Sequence, residues 1–343
     1  MEIILKNKSI SMYSKPYIIA EACINHNGEF EIAKKMIEVA SSIKVDCIKF
    51  QIHVLENEML RVAPQSSNFD EPLWDTLEKT NFSLDEHREL KKICESHNIQ
   101  YLCTPFSKIG ADMLEELNVD FYKIGSGEMT NFPLIEHISK KGKPMIISTG
   151  MSELKEVEEL VVFTKNLKIP FMLTHCTSAY PCPYERVNLQ LIKKYNELFD
   201  VPIGLSDHTP DNFSSYGAVA LGASVIEKHF TLDKNQIGPD HKSSIEPDAL
   251  NELVLGCNAI FLANGNKKFV YPEEKEIISW ARESVVSEVE IYKGQKIEEG
   301  MIWVKRPSPE EGCIPAKKYK DVIGRFAKSD IPINTQIKWS DLK

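Results

Sequence analysis

From Tyr17 onward, short β-branched apolar runs alternate with longer segments whose apolar positions recur every three or four residues. The short runs predict strands at Tyr17–Glu21, Cys47–Gln51, Gln100–Cys103, Phe121–Ile124, Pro144–Ser148, Phe171–His175, Pro202–Leu205 and Val225–His229. The longer period predicts helices at Phe30–Ser42, Leu84–His97, Ala111–Leu117, Glu153–Asn166, Leu189–Leu198 and Asn212–Leu221, with Pro247–Ala263 closing the series. Eight strand–helix repeats over about 250 residues are the pattern of a (β/α)8 TIM barrel. An open doubly wound sheet also alternates, but it needs fewer strands and a Gly-rich first turn. The pattern therefore assigns residues 1–265 to a barrel and 266–283, Gly/Asn/Lys-rich and then acidic, to a linker. Residues 284–343 carry two turn-then-apolar units, Lys293–Ile297 and Asn334–Ile337, which predict a small, mostly β domain. One long interruption, His53–Ser83, follows the second strand, and loops of that length in a compact domain usually serve function.

Every predicted strand stops on polar side chains. In order they are Glu21; Lys49, Gln51 and His53; Thr104; Lys123, Ser126 and Glu128; Ser148 and Thr149; His175, Thr177 and Ser178; Ser206, Asp207 and His208; Glu227 and His229. Barrel strands are packed on both faces and stay apolar until the rim, and the C-terminal rim is where barrel active sites lie. Lysines at that rim, Lys49 and Lys123, are Schiff-base nucleophiles, anion clamps, or structural partners of Glu21 or Glu128. With Ser126, Ser148, Thr149 and Ser206 nearby and Gly-rich turns, the pair reads as a cradle for phosphate and carboxylate. His208 and His229 end neighbouring strands, so their imidazoles can converge on one divalent ion in an N/O site of the Mn²⁺ type. The alternative is two hydrogen-bonded rim histidines.

Charge and cysteine usage narrow the partners. The 343 residues hold 41 Lys+Arg against 50 Asp+Glu, a net charge of −9, with no basic block. Nucleic acid is a poor fit to that balance. The eight cysteines show no CxxC pair, which predicts reduced thiols, and no apolar stretch reaches membrane-spanning length. A soluble, cytoplasmic protein is expected.

Taken in order, "EACINHNG", "IKFQIHVLENEM", "CTPFS", "YKIGSGEMTNFPLI", "ISTGMS", "HCTSAYPCP", "GLSDHT", "VIEKHF", "GPDH" and "WVKRP" resemble the sialic acid synthase family. The tail is similar to that family's antifreeze-like (SAF) domain. The resemblance implies condensation of phosphoenolpyruvate with the open-chain aldehyde of N-acetylmannosamine, plus water, to give N-acetylneuraminate and phosphate. It implies that His208 and His229 hold a metal, normally Mn²⁺, with Mg²⁺ or Co²⁺ as substitutes. It further implies that Lys49, Lys123, Ser126, Ser148 and Ser206 bind phosphoenolpyruvate, with Thr104 assisting and Ser178 standing where many bacterial members have asparagine. By the same resemblance Glu21, Gln51, Tyr180 and Asp240 surround the sugar hydroxyls, Glu128 lies next to the metal-bound water, and Asp207 belongs to the substrate-binding "GLSDHT" stretch. Arg306 of "WVKRP" is similar to the arginine that one subunit's SAF domain inserts into its partner's barrel, which implies a domain-swapped homodimer.

On this reading Glu128 or Glu21 handles the proton of the water, and the lysines supply positioning and charge neutralisation. Three rivals remain. One is the same chemistry on 2,4-diacetamido-2,4,6-trideoxy sugars, giving legionaminic or pseudaminic acid. Another is a Schiff-base aldolase on Lys123, and the third is a non-catalytic sugar-binding SAF protein. Choice of acceptor sugar is expected to depend on the stretches Leu55–Ser83 and Tyr180–Val187.

Overall fold

A computed structural model describes residues 2–5, 8–62, 71–307 and 311–343. It divides into two compact units, Met1–Gly265 and Asn266–Lys343. The first opens with an antiparallel hairpin, β1 (Glu2–Leu5) and β2 (Lys8–Ser11). Eight parallel strands follow: β3 (Tyr17–Glu21), β4 (Cys47–Ile52), β5 (Gln100–Pro105), β6 (Tyr122–Ile124), β7 (Met145–Ser148), β8 (Phe171–Cys176), β9 (Ile203–Asp207) and β10 (Val225–His229). They are hydrogen-bonded in the order β5-β4-β3-β10-β9-β8-β7-β6. First and last barrel strands pair in register, Glu21 beside His229, and β5 lies next to β6, so the sheet is a nearly closed barrel. This is the TIM-type fold expected from the alternation.

Helices wrap the outside, and local chemistry sets their starts. Ser83 opens the helix Leu84–Ser96 with a capping box: its Oγ accepts from Glu86 N, and Glu86 Oε2 accepts from Ser83 N at 2.7 Å. Ser107 caps Lys108–Glu116 through Gly110 N at 3.1 Å. Asn131 caps Phe132–Ser139, a helix the periodicity does not predict because its apolar positions are nearly continuous. The long interruption after β4 holds two short helices, Leu55–Glu58 and Leu73–Thr80; its residues 63–70 lie outside the described residues.

Strand alternation sorts side chains into an outer core under the helices and an inner column. Ile18, Ile48, Tyr101, Tyr122, Ile147, Leu173, Leu205 and Ile226 belong to the outer core. The inner column begins with Tyr17, Ile19, Cys47, Leu102, Phe121, Ile146, Met172 and Val225, and the hairpin's Ile3, Leu5 and Ile10 pack against them. The hairpin thereby plugs the N-terminal end of the barrel. Above this floor the inner column turns polar.

The second unit contains a helix, Pro272–Ala281, inside the stretch assigned to a linker, then an antiparallel pair, β11 (Ser284–Ser287) and β12 (Ile302–Lys305). Its own apolar cluster gathers Val285, Ile291, Ile297, Ile302, Ile314, Val322, Ala327, Ile331, Ile337 and Leu342. Among the described residues no helix is long and apolar enough to cross a membrane. Cys23, Cys47, Cys103, Cys176, Cys182 and Cys257 are buried free thiols.

Candidate active site

The polar upper half of the barrel opens into a cavity of about 590 Å³. Glu21, Lys49, Gln51, Thr104, Lys123, Ser126, Glu128, Ser148, Ser178, Tyr180, Ser206, His208, His229 and Asp240 all line it. These residues come from all eight strands or the loops that follow them, so only the closed sheet brings them together.

At its base lies a buried quartet of opposite charges. Lys49 Nζ is 2.5 Å from Glu21 Oε2 and 3.9 Å from Glu227 Oε2, and it donates to Thr104 Oγ1 at 3.1 Å. Lys123 Nζ is 3.7 Å from Glu227 Oε1 and donates to Ser148 Oγ at 2.7 Å. Ser206 Oγ donates to Glu227 Oε1 at 2.9 Å. The two lysines are thus paired with carboxylates, and an anion binding there must compete with Glu21 and Glu227 for them.

Burial governs the acidities. Burial raises Glu21 to about 7, although Lys49 opposes the rise. Burial likewise brings Glu128 to about 7. Glu227 is held below the ordinary carboxylate value because Lys123 and Lys49 outweigh its burial. Burial works against charge on Lys49, but Glu21 and Glu227 carry its ammonium above the usual lysine value. Lys123 goes the other way, lowered chiefly by burial. One carboxylate near neutrality beside one firmly ionised is the arrangement that lets a site trade protons at pH 7.

Over the quartet sit two imidazoles with ring centroids 5.3 Å apart. His208 Nδ1 lies 2.9 Å from Thr177 O, which assigns that nitrogen the proton and leaves Nε2 as the lone-pair nitrogen. His229 is pushed well below the ordinary histidine value by burial and by His208, so it is neutral. Its Nδ1 is buried without a hydrogen-bond partner among the described residues. A neutral imidazole with an unanswered lone pair, beside one oriented by a backbone carbonyl, fits a divalent cation. Glu128 Oε2 and Ser178 Oγ are likewise buried and unpartnered among the described residues. Such orphans cost roughly 1–3 kcal/mol each and are retained where a ligand answers them.

Two expected residues fall elsewhere. Asp207 does not face the cavity. Alternation turns Ser206 and His208 inward and Asp207 outward, where it forms a fully buried ion pair with Lys228 at 2.9 Å. Its place in a substrate-binding stretch is therefore corrected to a structural one. Arg306 is exposed in the second unit, just after β12. Conversely, Glu227, Cys23 and Cys176 line the cavity without having been assigned a role. For Glu227 the signal was present, since period two places it on the same side as His229.

A nearly closed barrel with a lysine-floored, two-histidine cavity at its C-terminal mouth defines an enzyme of the barrel class. Residues 36–269 match the NeuB family and residues 282–343 the SAF domain. The chain belongs to the NeuB family, whose members are biosynthetic synthases that form carbon–carbon bonds. It is 41% identical over 324 residues to the N,N'-diacetyllegionaminic acid synthase of Campylobacter jejuni, covering 91% of this chain and 96% of that one. It is 38% identical to the N-acetylneuraminate-9-phosphate synthase of Homo sapiens, covering 86% of this chain and 84% of the relative. Among solved structures, the N-acetylneuraminic acid synthetase of Leptospira borgpetersenii in complex with citrate matches with a TM-score of 0.73 at 34% identity, over 81% of this chain and 95% of that chain.

Proposed function

We propose that the chain joins phosphoenolpyruvate to the open-chain aldehyde of N-acetylmannosamine, consuming water and giving N-acetylneuraminate and phosphate. The observation that carries this reading is the stacked arrangement of a two-lysine anion trap beneath two histidines. Lys49 and Lys123, helped by Ser126, Ser148, Ser206 and Thr104, hold the carboxylate and phosphate of the enolpyruvyl group. When that anion arrives, Glu21, with a pKa of about 7, takes a proton from solvent and releases Lys49 to it. His208 and His229 hold the divalent cation, Mn²⁺ in the first instance with Mg²⁺ or Co²⁺ as substitutes; when bound, it supplies Lewis-acid polarisation of the sugar aldehyde. Gln51, Tyr180 and Asp240 orient the sugar chain so that its carbonyl carbon faces C3 of the enol.

C3 then bonds to the aldehyde carbon through the C2–C3 π pair while the carbonyl pair moves to the aldehyde oxygen, which takes up a proton. Positive charge develops at C2, water adds there and loses a proton, and the tetrahedral carbon expels phosphate as its hydroxyl becomes the ketone. Glu128 accepts the proton of that water, since its pKa of about 7 matches the operating pH. The reading includes a homodimer in which Arg306 of one chain serves the barrel of the other. Its support is the "WVKRP" resemblance and the exposure of Arg306.

A second acceptor, 2,4-diacetamido-2,4,6-trideoxymannose, is favoured by the identity to the Campylobacter jejuni synthase. Phosphate release from phosphoenolpyruvate, measured across a panel of acylated aminosugars with and without chelator, tests both. The expected result is sugar-dependent, chelator-sensitive release. Release without any sugar, or undiminished release after metal stripping, overturns the reading.

A further inference from the structure

Cys23 stands two residues beyond the end of β3, and its backbone φ of 47° lies in the left-handed region that side-chain-bearing residues rarely adopt. It is 5% exposed and lines the cavity, in a small apolar cluster with Ile24 and Leu77. Because β3 and β10 pair with Glu21 beside His229, the chain delivers Cys23 next to that imidazole. The loop after β10 brings in Asp240. Its carbonyl oxygen is fixed by the hydroxyls of Ser243 at 3.0 Å and Ser244 at 2.6 Å, and Asn25 Nδ2 in turn donates to Ser244 Oγ at 2.8 Å. Cys23 Sγ, a ring nitrogen of His229 and a carboxylate oxygen of Asp240 all lie within 4.8 Å of one another. His229 is itself 8% exposed, with Nδ1 unpartnered among the described residues.

We infer that Cys23 and Asp240 are direct ligands of the cation, completing with His229 a thiolate, carboxylate and imidazole donor set. The inference rests on the reading that His208 and His229 hold a metal, and adds to it a sulfur and an oxygen from this chain. Donors around a tetrahedrally bound ion are about 3.4–3.6 Å apart, so side-chain shifts on the order of 1 Å close the set. Two anionic donors also match the charge of a divalent ion, which two neutral imidazoles alone do not. Ligation requires the thiolate, so uptake of the ion expels the Cys23 proton to the buffer. A sulfur donor shifts preference toward Co²⁺ and Zn²⁺, relative to Mn²⁺ and Mg²⁺, compared with the same site lacking it.

The test is a Co²⁺ titration of the full-length, metal-stripped protein followed by absorption spectroscopy. Wild type should show visible ligand-field bands together with a near-ultraviolet thiolate-to-cobalt band. Cys23→Ser should lose only the near-ultraviolet band. It should also bind Zn²⁺ about tenfold or more weakly, with Mn²⁺ affinity changed less than about threefold. Visible bands without a Cys23-dependent near-ultraviolet band overturn the inference and leave the two-histidine reading standing. No cobalt spectrum at all removes both. Should Cys23→Ser fail to fold, X-ray absorption on the Zn²⁺-loaded wild type decides: a sulfur neighbour at about 2.3 Å supports the ligand, and nitrogen and oxygen neighbours alone exclude it.

Discussion

The ion pair between Asp207 and Lys228 offers a perturbation whose size follows from the structure. The two residues are cross-strand neighbours of β9 and β10, each set between inward-facing site residues: Ser206 and His208 on one strand, Glu227 and His229 on the other. Lys228 Nζ contacts Asp207 Oδ2 at 2.9 Å and donates to the carbonyls of Thr209 and Asp211, both at 2.6 Å. Asp207 also accepts from Thr209 N, Thr209 Oγ1 and Ser215 Oγ, at 2.9, 2.8 and 2.7 Å. Lys228→Met keeps the side-chain volume but leaves a buried carboxylate without its cation and two carbonyls without a donor. Breaking a buried pair of this kind costs about 3–5 kcal/mol, much of the stability of a typical domain. Adding Asp207→Asn to Lys228→Met removes the stranded charge, so the double variant should recover at least about 1 kcal/mol relative to the sum of the two singles. Urea unfolding followed by far-ultraviolet circular dichroism measures all four proteins. A single-variant loss below about 1 kcal/mol, or strict additivity in the double, would refute the argument that this pair braces the strands carrying both histidines.

Other expectations concern chemistry and assembly. With Glu128 acting as a base from a pKa of about 7, kcat/KM should rise with pH through neutrality, and Glu128→Gln should abolish that limb along with most activity. The stability sign is opposite: between the ordinary carboxylate range and about 7 the folded chain binds more protons at Glu128 than the unfolded one, so stability falls as pH rises. Glu128→Gln should accordingly flatten the loss of stability between pH 5 and pH 8 in urea titrations. Lys123→Met should lower kcat/KM for phosphoenolpyruvate by about 100-fold or more, the scale of a lost charge-stabilising donor. If borohydride and pyruvate instead modify Lys123, the aldolase alternative is correct. Co-expressing His229→Ala with Arg306→Ala should restore about a quarter of wild-type activity, because half of randomly formed dimers are mixed and one of their two sites is intact. Zero recovery in verified mixed dimers argues against an arginine supplied between chains.

Much of this architecture was legible in the chain because barrel strands carry their signal locally. Tyr17–Glu21 and Val225–His229 occupy the predicted residues, and the other six shift by two residues or fewer at either end. The strands β1 and β2 were not legible, since their Ile3, Leu5 and Ile10 find apolar partners only on the barrel floor. Polar strand ends pointed to the cavity, yet they did not separate inward from outward side chains. Strict alternation through "LSDH" and "IEKH" would have moved Asp207 out and brought Glu227 in. Cys23 left no trace in the pattern, because a thiol beside Ile24 reads as one more small hydrophobe.

The floor hairpin has a kinetic consequence. By sealing the lower end it turns the barrel into a well with a single mouth, and in such a vessel depth dictates queueing. Glu227, with the lysines it meets, sits one inward step below His229 on the same strand. The ligand lodged there must arrive before anything rests on the imidazoles, and its remnant cannot depart until the upper occupant clears. Strictly ordered addition, the phosphorylated partner first, should therefore appear in product-inhibition patterns; random addition would mean the well leaks.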